Sequence, residues 1–121
     1  MLTSLCRLGG QAVSLEVNYT HAAEFRATGY TPYIVDGVEY GEVRQYGNFS
    51  FLRIYEAGHE VPYYQPKASL EMFRRVLGNL ILADGSQAVT PAYGTEGTVN
   101  ATHTEPFVPL PTMTTSTMTG R

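Results

Sequence analysis

The period of the hydrophobic positions changes several times along the chain. From Gly9 to Thr28, "GGQAVSLEVNYTHAAEFRAT" carries Val13, Leu15, Val17, Ala22 and Phe25 at an imperfect helical spacing. This predicts two short helices parted near Asn18 to Thr20, with the Thr20 hydroxyl capping the second and Gly29 ending it. "YIV", then "DG" at Asp36 and Gly37, then "VEYGEVRQYG" reads as extended chain broken by a tight turn. A second turn pair, Gly47 and Asn48, separates "EVRQY" from "SFLRIYE" and predicts a hairpin over about Glu42 to Glu56. In its second strand Phe51, Arg53 and Tyr55 share one face while Leu52 and Ile54 share the other, so both sides of the sheet are expected to be covered. The strand stops at "AGH". Pro66 can open a helix at its first position, where a missing N–H costs nothing, and Leu70, Phe73, Val76, Leu77 and Leu80 are then expected to form its buried stripe. Glu71 would pair with Arg74 and Arg75 on the wet face. Past about Gly85 periodicity gives way to Thr, Gly and Pro, which predicts loop and then a disordered tail.

The chain has 121 residues, the size of one domain, and nine tyrosines in an otherwise ordinary apolar share, which fits an α/β or β-rich body. A net charge of -3 and the lack of any Lys/Arg cluster speak against nucleic acid and against an anionic membrane surface. No apolar run is long enough to span a membrane, and a single cysteine, Cys6, allows no internal disulfide. "MLTSLCRLGG" has too short an apolar core for a signal peptide. Yet "NYT", "NFS" and "NAT" place glycosylation sequons at Asn18, Asn48 and Asn100, which leans towards a secreted origin. Export marks without an export signal imply that the beginning of a longer protein is missing.

His21, His59 and His103 form no H-x-x-x-H pair and have no cysteine cluster beside them, so a metal site is not expected. His59 differs in context, because a glycine-flanked loop just after a strand raises its side chain on a rigid edge, where ligand sites of α/β sheets lie. The plain alternative is a loop histidine bonded to backbone. A catalytic histidine would need a serine whose proton it takes and a carboxylate that fixes its tautomer. In α/β-hydrolases the chain order is Ser, Asp or Glu, then His, so both partners would have to precede His59. No serine here sits in a G-x-S-x-G elbow, and no acid precedes Glu16.

"FSFLRIYEAGHEVPYYQPKASLEMFRRVLGN", Phe49 to Asn79, resembles the last strand, histidine loop and last helix of serine carboxypeptidases, peptidase family S10, with the pattern Ala/Gly-Gly-His-x-Val-Pro followed by x-x-Pro and an amphipathic helix. "LGGQAVSLEVNYTHAAEFRATGYTPYIVDGVEYGEVRQYGN", Leu8 to Asn48, is similar to the segment that joins the family's catalytic aspartate to that strand, especially in the fungal branch. The Thr-rich tail resembles that of fungal members which continue to a cell-wall or lipid anchor. At the front, "SLCRLGG" keeps Cys6, Leu8 and Gly9 but lacks the family's Asn-Trp, and no aspartate precedes it.

The resemblance implies the C-terminal part of an α/β-hydrolase fold over residues 1–85, with a Thr/Pro/Gly-rich disordered tail over 86–121. It implies a parent that is a serine-type carboxypeptidase acting on peptides without a cofactor, and is secreted, cell-wall or vacuolar. His59 would be its general base and acid, and Glu60 would flank the pocket for the departing residue. Without the serine and aspartate the chain alone is expected to be inactive, and with its sheet edges uncovered, marginally stable. A reading from another class is a non-catalytic secreted glycoprotein or binding module that keeps this hairpin and helix as scaffold.

Overall fold

The computed structural model describes residues 7–101, 103 and 104. Two helices come first, α1 (Arg7–Glu16) and α2 (Ala22–Ala27), followed by three strands, β1 (Thr31–Val35), β2 (Val38–Tyr46) and β3 (Phe49–Ile54). A single-turn helix, α3 (Val61–Tyr64), and a longer one, α4 (Pro66–Leu77), complete the order. Cys6 and the tail beyond 104 lie outside the described residues.

The strands form an antiparallel meander in the order β1-β2-β3. Each connection is a two-residue turn whose backbone suits the twist of the flanking strands. Asp36 and Gly37 both have positive φ, 49° and 77°. At the second turn only Gly47 does, at 53°, and Tyr46 pairs directly with Phe49 across it. The β2–β3 hairpin pairs from Gly41–Ile54 to Tyr46–Phe49, close to the expected span, while against β1 the β2 strand carries one extra residue, Tyr40, between the partners of Tyr33 and Ile34.

Both faces of the sheet are covered, as the alternation in β3 requires. Phe51 packs with Phe25 and Tyr30 on the α1/α2 side, while Leu52 joins Tyr33, Val35, Val43, Ala68, Met72 and Leu82 on the α4 side. Arg44 is buried on the first side, its guanidinium 4.7 Å from the centre of the Tyr30 ring and donating to the Val99 carbonyl at 2.6 Å. On the second side the Tyr33 hydroxyl donates to the Ala68 carbonyl at 2.7 Å, and burial pushes the phenol up to about 12.

Two local expectations are corrected. Thr20 does not cap α2: His21 holds that position with no side-chain bond, and backbone bonds from Ala22 to Tyr19 and from Phe25 to His21 take up the early amides instead. The helix closes at Thr28, whose hydroxyl turns back to the Phe25 carbonyl, one residue before Gly29.

The larger correction concerns α4. Its buried residues are Ala68, Ser69, Met72 and Arg75, whereas Leu70, Phe73, Val76 and Leu77 are exposed, Leu70 and Leu77 at 71% each. Arg75 is 3% exposed and holds α4 to the sheet, with Nη2 donating to the Ile34 carbonyl at 2.7 Å and Nη1 to the Leu82 carbonyl at 2.8 Å. A guanidinium offers five donors, so it can enter the interior when several carbonyls converge on it. Four apolar side chains are left facing solvent as a result.

From Gly85 to Ala101 the chain is irregular but tied to the sheet. Isolated bridges join Leu80 to Ala88, Tyr46 to Gly94 and Tyr30 to Thr98. Thr95 is a buried hub, its hydroxyl accepting from the Gln45 amide and donating to the Gly29 carbonyl.

Candidate active site

The β3 strand delivers the chain to a loop that the sequence shapes closely. Tyr55 is anchored on both sides, by its amide to the Tyr40 carbonyl at 2.9 Å and by its hydroxyl to Glu39 Oε1 at 2.9 Å. Burial, and after it that bond, raise the phenol above its ordinary range. At Glu56 the backbone turns through a positive φ of 52°, the left-handed region that reverses a chain sharply. Ala57, Gly58, His59 and Glu60 follow before α3 opens at Val61 with Pro62 in its first turn, where proline fits without losing a bond.

His59 and Glu60 are both exposed. Among the described residues no hydrogen bond or ion pair engages the His59 ring, and no serine or carboxylate reaches it. Glu60 acts through its backbone, its carbonyl accepting from the Tyr63 amide at 2.9 Å. The other two histidines lie elsewhere. His21 Nδ1 is 3.5 Å from Glu24 Oε1, and His103 stacks on Tyr55 with ring centres 3.5 Å apart. No group of three or more His, Cys, Asp or Glu that could hold a metal occurs among the described residues. Asn18, Asn48 and Asn100 are all exposed, at the end of α1, in the β2–β3 turn and in the C-terminal segment.

Two concave features adjoin these elements. One, about 350 Å³, is an apolar groove over Pro62, Pro66, Ser69, Leu70, Met72 and Phe73, so the exposed stripe of α4 forms one of its walls. The other, about 370 Å³, lies where the C-terminal segment crosses the sheet and includes Glu39, Glu42, Tyr55, Glu96 and His103. Two of its carboxylates are already engaged, Glu39 by the Tyr55 hydroxyl and Glu42 by Arg53 at 3.1 Å.

Sequence reasoning missed two parts of this arrangement. One is the interior guanidinium: Glu71 does pair with Arg74 and Arg75, at 2.6 and 2.9 Å, but Arg75 lies inside rather than on the wet face, although Ala68, Met72 and Arg75 stand at helical spacing. The other is the contact of Tyr64 with Gly58, where the Cε2 atom would lie 3.0 Å from a Cβ built on the glycine. No sequence pattern announces it.

A strand, an exposed histidine after a glycine, a Val-Pro turn and a proline-led helix follow one another here. Residues 4–79 match the family model described as serine carboxypeptidase, and the chain belongs to that family. Curated relatives agree. A carboxypeptidase S1 homolog A of Arthroderma otae is 48% identical over 84% of this chain and 16% of its own length. A carboxypeptidase Y homolog of Arthroderma benhamiae is 46% identical over 88% of the chain and 17% of its own length. A vacuolar serine-type carboxypeptidase of Saccharomyces cerevisiae is 42% identical over 64% of the chain and 16% of its own length. The chain thus spans about a sixth of the length of the relatives it matches. No solved structure matches it. No helix among the described residues is long and apolar enough to cross a membrane.

Proposed function

We propose that this chain carries the histidine-bearing part of a serine-type carboxypeptidase, which releases C-terminal residues from peptides, and that it is inactive alone. The observation that carries the reading is His59, exposed on the loop between β3 and α3, within the matched region, and engaged by no described serine or carboxylate. In the complete enzyme one imidazole nitrogen takes the proton of a serine hydroxyl as that oxygen attacks the scissile carbonyl, then returns it to the departing amine. A carboxylate on the other nitrogen fixes the tautomer and steadies the imidazolium. Both partners come from polypeptide outside these residues. Glu60, next in sequence, flanks the pocket for the departing residue.

Residues 1–85 are in this reading the C-terminal portion of an α/β-hydrolase domain and 86–121 the segment that follows it, whose first part, as far as Ala101, still packs on the sheet. The outward stripe Leu70, Phe73, Val76 and Leu77 supports it, since a face this apolar is expected to be covered by further structure. A secreted, cell-wall or vacuolar parent, glycosylated at Asn18, Asn48 and Asn100, fits the exposure of all three sequons and the vacuolar name of one relative.

Hydrolysis of a blocked dipeptide at mildly acid pH tests the proposal. The 121-residue chain is expected to show no turnover above background. His59→Ala in a full-length parent is expected to lower kcat by on the order of 10⁴-fold or more. Turnover by the short chain that vanishes in His59→Ala would overturn its inertness, and an undiminished parent His59→Ala would overturn the role of the histidine.

A further inference from the structure

We infer that Tyr64 is a positioning residue for His59, acting through Gly58. The inference rests on the proton-transfer role proposed for His59, but its test does not use activity. Gly58 is not required by backbone conformation, because its φ lies outside the left-handed region that favours glycine. A Cβ there would stand 3.0 Å from Cε2 and 3.4 Å from Cζ of the Tyr64 ring, closer than ordinary packing, so the ring would have to give by a few tenths of an ångström. The ring therefore faces the side of Gly58 where a side chain would stand, one residue before His59.

Tyr64 is itself braced. Its ring meets that of Tyr63 edge-on, with centres 5.2 Å apart, and its amide reaches the Glu60 carbonyl at 3.4 Å. Beside it, Gln65 Nε2 donates to the Tyr55 carbonyl at 3.1 Å, which ties the entry of the loop to its exit. The loop is thus closed at its base by Gln65 and backed at Gly58 by an aromatic ring. Tyr64 nevertheless stays 55% exposed, as a backstop would and a core residue would not. A side chain raised on such a loop keeps its direction only while the peptide beneath it is held, and displacement of about 1 Å is enough to spoil proton transfer.

Heteronuclear relaxation on the isotope-labelled 121-residue chain provides the test. In Tyr64→Ala the backbone order parameter at His59 is expected to fall from about 0.85 towards less than about 0.6, with residues in the strands unchanged. Tyr64→Phe, which keeps the ring carbons that make the contact, is expected to match the parent chain. Gly58→Ala is expected to shift the His59 resonances strongly alone and only weakly in the Tyr64→Ala background, as coupled neighbours do. An unchanged order parameter in Tyr64→Ala, a Phe variant as loose as the Ala variant, or additive shifts in the double variant would each overturn the inference. Loss of dispersed strand resonances in Tyr64→Ala would overturn it too, by making Tyr64 a residue of the whole fold.

Discussion

The two sides of α4 have exchanged the usual roles of helix faces. Inward it presents two small residues, one methionine and an arginine; outward it presents two leucines, a valine and a phenylalanine. Burying Arg75 needs its donors engaged, and four bonds engage them, to carbonyls from β1 and from the segment after α4 and to the Glu71 carboxylate. Exposing the stripe needs no local compensation but leaves apolar surface in water. One face is packed against the sheet within these residues, and the other keeps its apolar side chains exposed among them. A helix can thus be well determined by what its polar residues bond rather than by where its apolar stripe lies.

The sharpest way to break this contrast is to remove the guanidinium. Arg75→Ala leaves the Ile34 and Leu82 carbonyls and the Glu71 carboxylate without it, and is expected to cost about 3 kcal/mol or more in chemical denaturation. A loss within error of zero would mean that the interior arginine is incidental.

Next in size is Glu71→Gln, expected to cost about 1 kcal/mol near neutral pH because Arg75 keeps its carbonyl acceptors. This effect has a pH signature. The bonds from Arg74 and then Arg75 hold the Glu71 carboxyl down at about 2, below its ordinary value of 4.5. A depressed carboxyl contributes stability above its unfolded value and loses it as pH falls through the folded one. Denaturation midpoints of the parent chain and of Glu71→Gln should therefore differ above about pH 4.5 and converge towards pH 2; parallel curves would contradict the assignment.

Smallest should be the change on the outer face. Leu70→Lys with Phe73→Lys is expected to alter stability by no more than about 0.5 kcal/mol, while sedimentation shows less self-association. A loss comparable to that of Arg75→Ala would erase the distinction between the faces.

Much of the fold was legible because local signals decide it. Asp36–Gly37 and Gly47–Asn48 fix the two turns, and the alternation Phe51 to Ile54 fixes a strand covered on both sides. Helix α4 was legible in extent but not in orientation. Periodicity identifies an apolar stripe, yet it is silent on whether the covering partner belongs to the same stretch of chain. Thr20 was misread for a related reason: a hydroxyl before a helix is a candidate cap, but the Tyr19 carbonyl takes the Ala22 amide through a backbone turn. At the site, His59 was visible from "AGH" and the Val-Pro that follows. The brace behind it was not, because Gly58 and Tyr64 meet through a shape that only the folded loop creates.

Thr95 carries a consequence for the order of assembly. Its hydroxyl and backbone close bonds with Gly29 and Gln45, residues 66 and 50 positions earlier in the chain. During synthesis the meander can pair as soon as β3 emerges, but the seam between α2 and the sheet stays unsealed until translation has passed this threonine. This stretch works as a fastener, and everything made before it must wait with that join open.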